Sequence, residues 1–204
     1  CSLTPRDWLL AYMRSGMDCV AITDHNCANW IDRLKDELNN MTNEQPRHPD
    51  YSDLYLFPGV ELTSSDGIHV LAIFDPEESA SKIHGILTLS RYNNEANNAH
   101  GMCDMGASTI CDYIHNHGGV VVLAHAEEIN GLFNSTTTAW EFSPRSDRVI
   151  EQVLEKADAI EIHDMEAPAV QHFANKLERR AIVNGSDAHK TSNAGTRWAW
   201  LKMA

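Results

Sequence analysis

The length, composition and charge of the chain exclude several classes of protein. Its 204 residues, 43% of them hydrophobic, suffice for one domain with a proper core, and no apolar run approaches the ~18 residues that a membrane-spanning helix needs. A formal net charge of −13 argues against a basic groove for nucleic acid on this domain. The five cysteines form no Cys-x-x-Cys pair, which favours reduced thiols. We therefore expect a soluble, cytoplasmic protein.

Helical and extended patterns alternate along the chain. Thr4 and Pro5 predict a helix N-terminus, and Gly16 predicts its end. Six apolar runs of strand length follow, and they are "DCVAITDH", "DLYLFPGVEL", "GIHVLAIF", "VVVLAH", "DAIEIHD" and "AIVNGSD". Helical spacing separates most of them, in "ANWIDRLKDELNN", "STICDYIHNHGG", "DRVIEQVLEKA" and "PAVQHFANKLERR". This alternation implies a mostly parallel sheet or barrel in one domain, with an exposed insertion at about residues 76–105, where the chain is rich in Asn.

Potential metal ligands accompany these apolar runs. In parallel α/β folds, sites gather at the carboxyl ends of the strands, because all strands point there and the following loops are free to vary. The polar residues in question are Asp24, His25, Glu61, His69, His125, Asp187 and His189. The spacing of Asp187 and His189 places both on one face of an extended chain, although Gly-Ser-Asp is also ordinary turn chemistry.

These runs, taken together and in order, resemble the PHP family, the polymerase-and-histidinol-phosphatase domain of phosphoesterases. The resemblance spans about residues 15–190 and is carried by "GMDCVAITDHN", "FPGVEL", "GIHVLAIF", "GGVVVLAHAEE", "DAIEIHD" and "VNGSDAHK". Three segments are most similar in sequence to the PHP domain that precedes an SMC-like ATPase in TrlF-type proteins. They are "WLLAYMRSGMDCVAITDHNCANWIDRL", "GIHVLAIFDP" and "GTRWAWLKM".

The resemblance implies a distorted, TIM-like (β/α)7 barrel over residues 1–204, with two or three divalent metal ions at the strand ends. Glu61 matches a carboxylate that bridges two metals, and His69 and His125 match imidazole ligands of the second metal. Asp187 matches a ligand of the first metal. The remaining matches, to ligands of the third metal, are His25 and His189. We expect Glu61, His125 and Asp187 to carry the catalysis.

Asp24 is expected to orient a neighbouring ligand, since adjacent residues of a strand point to opposite faces. The family's opening His-x-His motif is absent, because the chain begins at "CSLTPRDW", which corresponds to the position just after it. The barrel would then lack its first strand and leave an open edge. We therefore expect the sequence to be a fragment of a longer protein, and a truncated, inactive domain is the competing explanation.

A mixed imidazole and carboxylate ligand set suits Mn²⁺, Zn²⁺ or Fe²⁺. A bridging carboxylate would hold two cations roughly 3.5–4 Å apart, the separation used for in-line displacement at phosphorus, with metal-activated water as the nucleophile. The predicted reaction is hydrolysis of a phosphodiester or phosphomonoester. Four further side chains are candidate contacts to the substrate, and they are His163, Lys190, Arg145 and Arg197.

Three functions remain open on the sequence. The first is a nuclease or nucleotide phosphatase that acts as a module beside an SMC-like ATPase, in the same chain or complex, in DNA repair or anti-phage defence. It would pair as a homo-oligomer through regions outside this chain. The second is a free-standing phosphatase of the histidinol-phosphatase type, for a small metabolite. The third is a degenerate PHP domain with a structural or partner-binding role.

Overall fold

A six-stranded mixed sheet flanked by helices forms the frame of the protein. The computed structural model describes residues 3–95, 98, 100–134, 144–178 and 180–200. The strands are β1 (Cys19–Ile22), β2 (Tyr55–Thr63), β3 (His69–Ile73), β4 (Val120–Leu123), β5 (Ala159–Glu161) and β6 (Ala181–Val183). The helices are α1 (Pro5–Arg14), α2 (Ile31–Asn43), α3 (Ala80–Leu89), α4 (Ala107–Asn116), α5 (Asp147–Leu154), α6 (Pro168–His172), α7 (Ala174–Leu177) and the 3₁₀ turn η1 (Thr191–Asn193).

The strands lie in the sheet in their chain order, from β1 to β6. Pairing is parallel between β1 and β2, between β4 and β5, and between β5 and β6. Strand β3 runs antiparallel to both of its neighbours, so the expectation of a mostly parallel sheet needs correcting at its centre. The cause is the short connection 64–68, since a parallel crossover requires a dozen or more residues.

The closed barrel implied by the resemblance is not formed by the described residues. Within them, β1 and β6 are the two edges of the sheet and do not pair with each other. None of the helices in the described ranges is long and apolar enough to span a membrane. The cysteines within those ranges are free thiols, and they are Cys19, Cys27, Cys103 and Cys111.

Helix α1 begins where the sequence predicts, with a complete capping box. The Thr4 hydroxyl accepts a hydrogen bond from the backbone N–H of Asp7, and the Asp7 carboxylate accepts one from the backbone N–H of Thr4. Pro5 occupies the first helical position, where its missing N–H costs no hydrogen bond. The helix buries Leu9 and Leu10 in the core.

Replacing Thr4 with Ala is expected to lower the free energy of unfolding by about 1 kcal/mol, because the first turn of α1 loses the acceptor for one of its unpaired N–H groups. Urea unfolding followed by circular dichroism measures the change. The matched variant Thr4→Ser keeps the hydroxyl and should unfold close to the parent protein. Equal unfolding midpoints for the Ala and Ser variants would contradict this role for the cap.

The segment at about residues 76–105 is not simply an exposed insertion, because α3 lies within it. Ser79 caps this helix, whose side chains Ile83 and Ile86 are fully buried, and the helix packs against β2. The end of the segment also reaches the carboxyl end of β1, where the Gly101 carbonyl accepts a hydrogen bond from the buried side chain of Asn26 at 3.2 Å. The segment was predicted to be exposed because it is rich in Asn, but the few apolar residues of α3 form one buried face of the helix.

The loop after β4 is anchored in the core by Phe133. Its backbone N–H donates to the carbonyl of Ala126 at 2.8 Å, which closes residues 126–133 into a compact turn. Its side chain is fully buried and stacks on Phe173, with ring centroids 5.1 Å apart. This contact fixes the loop that follows His125 and carries two glutamates.

Candidate metal centre

The carboxyl ends of β1 and β2 place His25 beside Glu61. The segment after β1 continues to pair with β2, through a parallel bridge between His25 and Glu61. The Glu61 N–H donates to the Asp24 carbonyl at 3.2 Å, and the Asn26 N–H donates to the Glu61 carbonyl at 2.8 Å. These bonds bring the His25 Nδ1 atom to 3.4 Å from Glu61 Oε2.

His69 reaches the same edge from the opposite direction. It opens β3 rather than following a strand, and it pairs with Thr63 in the antiparallel register. Because β3 runs against its neighbours, its first residue lies where β2 ends. The His69 Nδ1 atom is therefore 2.5 Å from Glu61 Oε1. The sequence predicted that His69 follows the end of a parallel strand, and this was wrong. The antiparallel hairpin of β2 and β3 nevertheless brings His69 to the same edge of the sheet.

His125 completes the cluster from the end of β4. The N–H of Ala124 donates to the His69 carbonyl at 3.2 Å, which seats the two chain segments together. The His125 Nε2 atom then lies 3.3 Å from Glu61 Oε1 and 3.2 Å from His69 Nδ1. One carboxylate oxygen of Glu61 thus faces two imidazoles, and its other oxygen faces His25.

This cluster is almost closed to solvent. The exposed fraction of Glu61 is 5% and that of His125 is 7%. Burial by itself raises the pKa of Glu61, but hydrogen bonds from His125 and His69 outweigh it and hold that pKa well below its usual range. Burial by itself lowers the pKa of His125, but the hydrogen bond to Glu61 and its negative charge raise it to about 9. The buried carboxylate and the imidazole next to it therefore each favour the charged form of the other.

The donor atoms of the cluster fit a divalent metal. His25, Glu61 and His69 each offer one ligand atom, and these atoms lie within 4.8 Å of one another. His69 Nε2 and His125 Nδ1 are buried without a hydrogen-bond partner. Buried polar atoms in folded proteins are normally paired, so the orphaned nitrogens mark a place where a ligand is expected. Imidazole with carboxylate is the donor set of Zn²⁺, Mn²⁺ and Fe²⁺ sites.

Asp187 and His189 lie at the rim of the cluster. The His189 ring is 5.9 Å from the His25 ring, and its Nδ1 atom is 3.5 Å from Asp187 Oδ1. Strand β6 ends at Val183, and Asp187 has a positive φ of 42°, so the two residues belong to a turn. The two side chains do lie close together, but the expectation that an extended strand places them on one face was wrong, because a turn brings them together. The His189 side chain is 63% exposed.

The other predicted residues are placed more loosely. Asp24 is exposed and supports Glu61 through its backbone carbonyl. The guanidinium of Arg145 donates to the carbonyls of Asp66 and Gly67, at 2.7 and 2.8 Å, and so supports the turn between β2 and β3. Lys190 and Arg197, which follow β6, have exposed side chains. His163 lies in a neighbouring group with Glu127 and Glu128.

Glu161 is a residue that the sequence analysis missed. It is buried at the end of β5, and its Oε2 atom accepts a hydrogen bond from the His125 N–H at 3.1 Å. The Glu161 carbonyl also accepts from the Ala126 N–H at 2.9 Å. His125 has a positive φ of 28°, which is uncommon for a residue with a side chain, and these two bonds hold it there. A glutamate inside the apolar run "DAIEIHD" was the available signal, because buried glutamates are rarely unpaired.

Comparison with known proteins supports the fold. No family model matches the sequence. An uncharacterized protein of Streptococcus pneumoniae serotype 4 is 21% identical over 126 residues, which are 60% of this chain and 48% of that protein. The chain therefore spans about half the length of this curated relative.

Solved structures with the same fold include three hydrolytic enzymes by name. A protein of Bifidobacterium adolescentis, assigned as a metal-dependent phosphoesterase, has a TM-score of 0.59 at 16% identity, over 95% of this chain and 84% of that one. The lesion-specific endonuclease Q of Pyrococcus furiosus has a TM-score of 0.57 at 15% identity, over 89% and 42%. An amidohydrolase of Chromobacterium violaceum has a TM-score of 0.58 at 14% identity, over 95% and 85%. At these identities the likeness establishes the fold of the chain.

Proposed function

We propose that this chain is a metal-dependent phosphoesterase domain of the PHP type. The observation that carries the proposal is the buried carboxylate of Glu61, with the imidazoles of His25, His69 and His125 placed around it. A core position of this kind is expensive to fill with polar side chains, and folding alone does not require them. Their convergence at the end of the sheet, in a fold shared with a metal-dependent phosphoesterase, supports a metal centre for hydrolysis.

The side chains have separable roles in this proposal. Glu61 would hold metal through both oxygens, because Oε1 faces His69 and His125 while Oε2 faces His25. Divalent ions bound there would supply a water of lowered pKa and polarise the phosphoryl oxygens. Asp187 and His189, at the rim, would complete the ligand set from the substrate side. Glu161 would keep His125 in position through its backbone N–H.

A phosphodiester in nucleic acid, or a nucleotide, is the proposed substrate. Endonuclease Q, which shares the fold, has been solved with a 27-mer duplex that carries an abasic lesion at the active site. The net charge of −13 means that nucleic acid would need basic surface from outside this chain. We therefore propose that an SMC-like ATPase, in the same chain or complex, supplies this basic surface. Homo-oligomers would form through that ATPase. The sequence resemblance to TrlF-type proteins supports this partner.

A small-molecule phosphatase is the second candidate function. The observation that favours it is the formal net charge of −13, because an acidic surface disfavours nucleic acid but does not hinder a small phosphorylated metabolite that the metals bind. A phosphatase for a small metabolite would use the same centre. The number of ester bonds on phosphorus separates a nuclease, which cleaves a diester, from a phosphatase, which cleaves a monoester of a nucleotide or of a small metabolite.

One assay series tests these proposals. The purified protein, loaded with Mn²⁺, is given bis(para-nitrophenyl) phosphate, para-nitrophenyl phosphate, and duplex DNA with and without an abasic lesion. Mn²⁺-dependent release of nitrophenol from the diester, together with cleavage of DNA, is the expected result. Turnover of the monoester alone would favour the phosphatase. Bound metal without turnover of any substrate would contradict both, and would favour the degenerate domain.

A further inference from the structure

We propose a second divalent-cation site, separate from the centre around Glu61. It is formed by Glu127, Glu128 and His163, which we call the Glu127 cluster. One ligand atom from each of these residues lies within 4.8 Å of the others. The cluster joins the loop after β4 to the end of β5, so its members come from two chain segments that the sheet brings together. This site goes beyond the proposed function and does not depend on it.

The carboxylate of Glu127 is fixed and only half satisfied. Its Oε1 atom accepts hydrogen bonds from the backbone N–H groups of His163, at 2.6 Å, and Asp164, at 2.8 Å. Its Oε2 atom is buried and has no hydrogen-bond partner, and the exposed fraction of the residue is 8%. An unpaired carboxylate oxygen in the interior loses its hydration without compensation. A cation between Glu127 and its two neighbours would provide the missing partner.

His163 has the surroundings of a metal-ligating histidine. Its side chain is 4% exposed, and its Nδ1 atom lies 2.9 Å from Glu128 Oε1, on the side of the cluster. Its Nε2 atom faces Glu161 Oε1 at 3.5 Å and makes no hydrogen bond. Histidines that bind metal through one nitrogen commonly present the other to a carboxylate, which fixes the ring and raises its basicity. Glu161 is placed to act in this way for His163.

Glu128 gives the site access to solvent. Its side chain is 52% exposed, so an ion can enter from the Glu128 side and keep water in its remaining coordination positions. Two carboxylates and one imidazole suit Mn²⁺ or Zn²⁺ better than Ca²⁺, which favours an all-oxygen set. The alternative is a direct hydrogen bond between His163 and Glu128 with no cation, and a count of bound metal separates the two.

The test counts bound metal rather than activity. The full chain, freed of metal, is titrated with Mn²⁺, and the free ion is followed by its electron paramagnetic resonance signal. Glu128→Gln is the informative variant, because its half-exposed side chain can change without unfolding the protein. We expect it to bind one Mn²⁺ per chain fewer than the parent, or to bind that ion at least tenfold more weakly. The matched control is Glu166→Gln, which alters an exposed glutamate nearby and should leave the count unchanged.

A second comparison keeps the two sites apart. In the background of Glu61→Gln, adding Glu128→Gln should again remove one Mn²⁺ per chain. If metal is lost in Glu61→Gln but Glu128→Gln changes nothing in either background, the Glu127 cluster holds no cation and the proposal is overturned, while the centre around Glu61 stands. If Glu128→Gln alone reduces the count, the second site stands even where no phosphoesterase activity is found.

Discussion

Replacing Glu61 with Gln is expected to lower the rate of Mn²⁺-dependent hydrolysis of a phosphodiester by more than about 100-fold. Removing a residue that only supports a metal ligand typically costs about 10- to 100-fold, and removing a ligand itself should cost more. The amide of Gln keeps the shape but carries no charge. It would also turn an N–H donor toward the imidazoles of His69, His125 or His25, where a carboxylate oxygen now lies. Initial rates with bis(para-nitrophenyl) phosphate, and bound metal by elemental analysis, should fall together.

The control for this variant is Glu37→Gln. Glu37 is partly buried and ion-paired, with Arg6 at 2.6 Å, and it lies on α2, outside the cluster around Glu61. It should retain the parent rate. Circular dichroism of both variants shows whether the fold is kept. Undiminished turnover by a folded Glu61→Gln protein would refute the assignment of the metal centre.

Replacing Phe133 with Ala is expected to lower the free energy of unfolding by about 3–5 kcal/mol, the usual range for removing a buried aromatic ring. The ring is fully buried and stacked on Phe173, so its loss leaves a cavity that the core cannot fill without moving the loop at residues 126–133. The free energy of unfolding of natural domains is only about 5–15 kcal/mol, so this single change should remove a large part of the stability of the protein. Urea unfolding at equilibrium measures it.

The variant Phe133→Leu is the matched comparison, because it keeps a large apolar side chain at the same place. It should lose less than half as much stability as Phe133→Ala. The loop that Phe133 anchors follows His125 directly, so weakened metal binding should accompany the loss of stability in the Ala variant. Equal stability of the Ala and Leu variants would mean that the ring does not anchor this loop.

The sequence predicted the members of the candidate centre better than it predicted the sheet that assembles them. Apolar runs followed by His or Glu were visible at His25, Glu61 and His125, and these residues do meet at one edge. His69 also lies at this edge, but it opens the antiparallel strand β3 instead of following the end of a parallel strand. A strand's direction depends on its pairing and on the length of its connections, whereas a polar residue at the end of an apolar run is a local signal.

The remaining features depend on contacts between distant segments, and local patterns do not encode them. Glu161 is one residue of an apolar run, and its role appears only when β5 lies beside the end of β4. Arg145 was a candidate phosphate contact, yet its guanidinium bonds to the carbonyls of Asp66 and Gly67, which are 79 and 78 positions away. From the sequence alone such side chains are expected to be exposed, because their partners lie far away along the chain.

The antiparallel setting of β3 has a consequence for the order in which the centre assembles during folding. Glu61 and His69 lie on the two arms of one hairpin, whose turn at residues 64–68 requires little loss of chain entropy to close. His125 is 64 positions from Glu61 and reaches it only after a long loop has closed. The Glu61–His69 pair should therefore form early, with the other histidines joining it later. A nascent chain would then bring together two of the four side chains of the cluster around Glu61 before the sheet is complete, so this hairpin would be the first part of the candidate centre to take shape during synthesis.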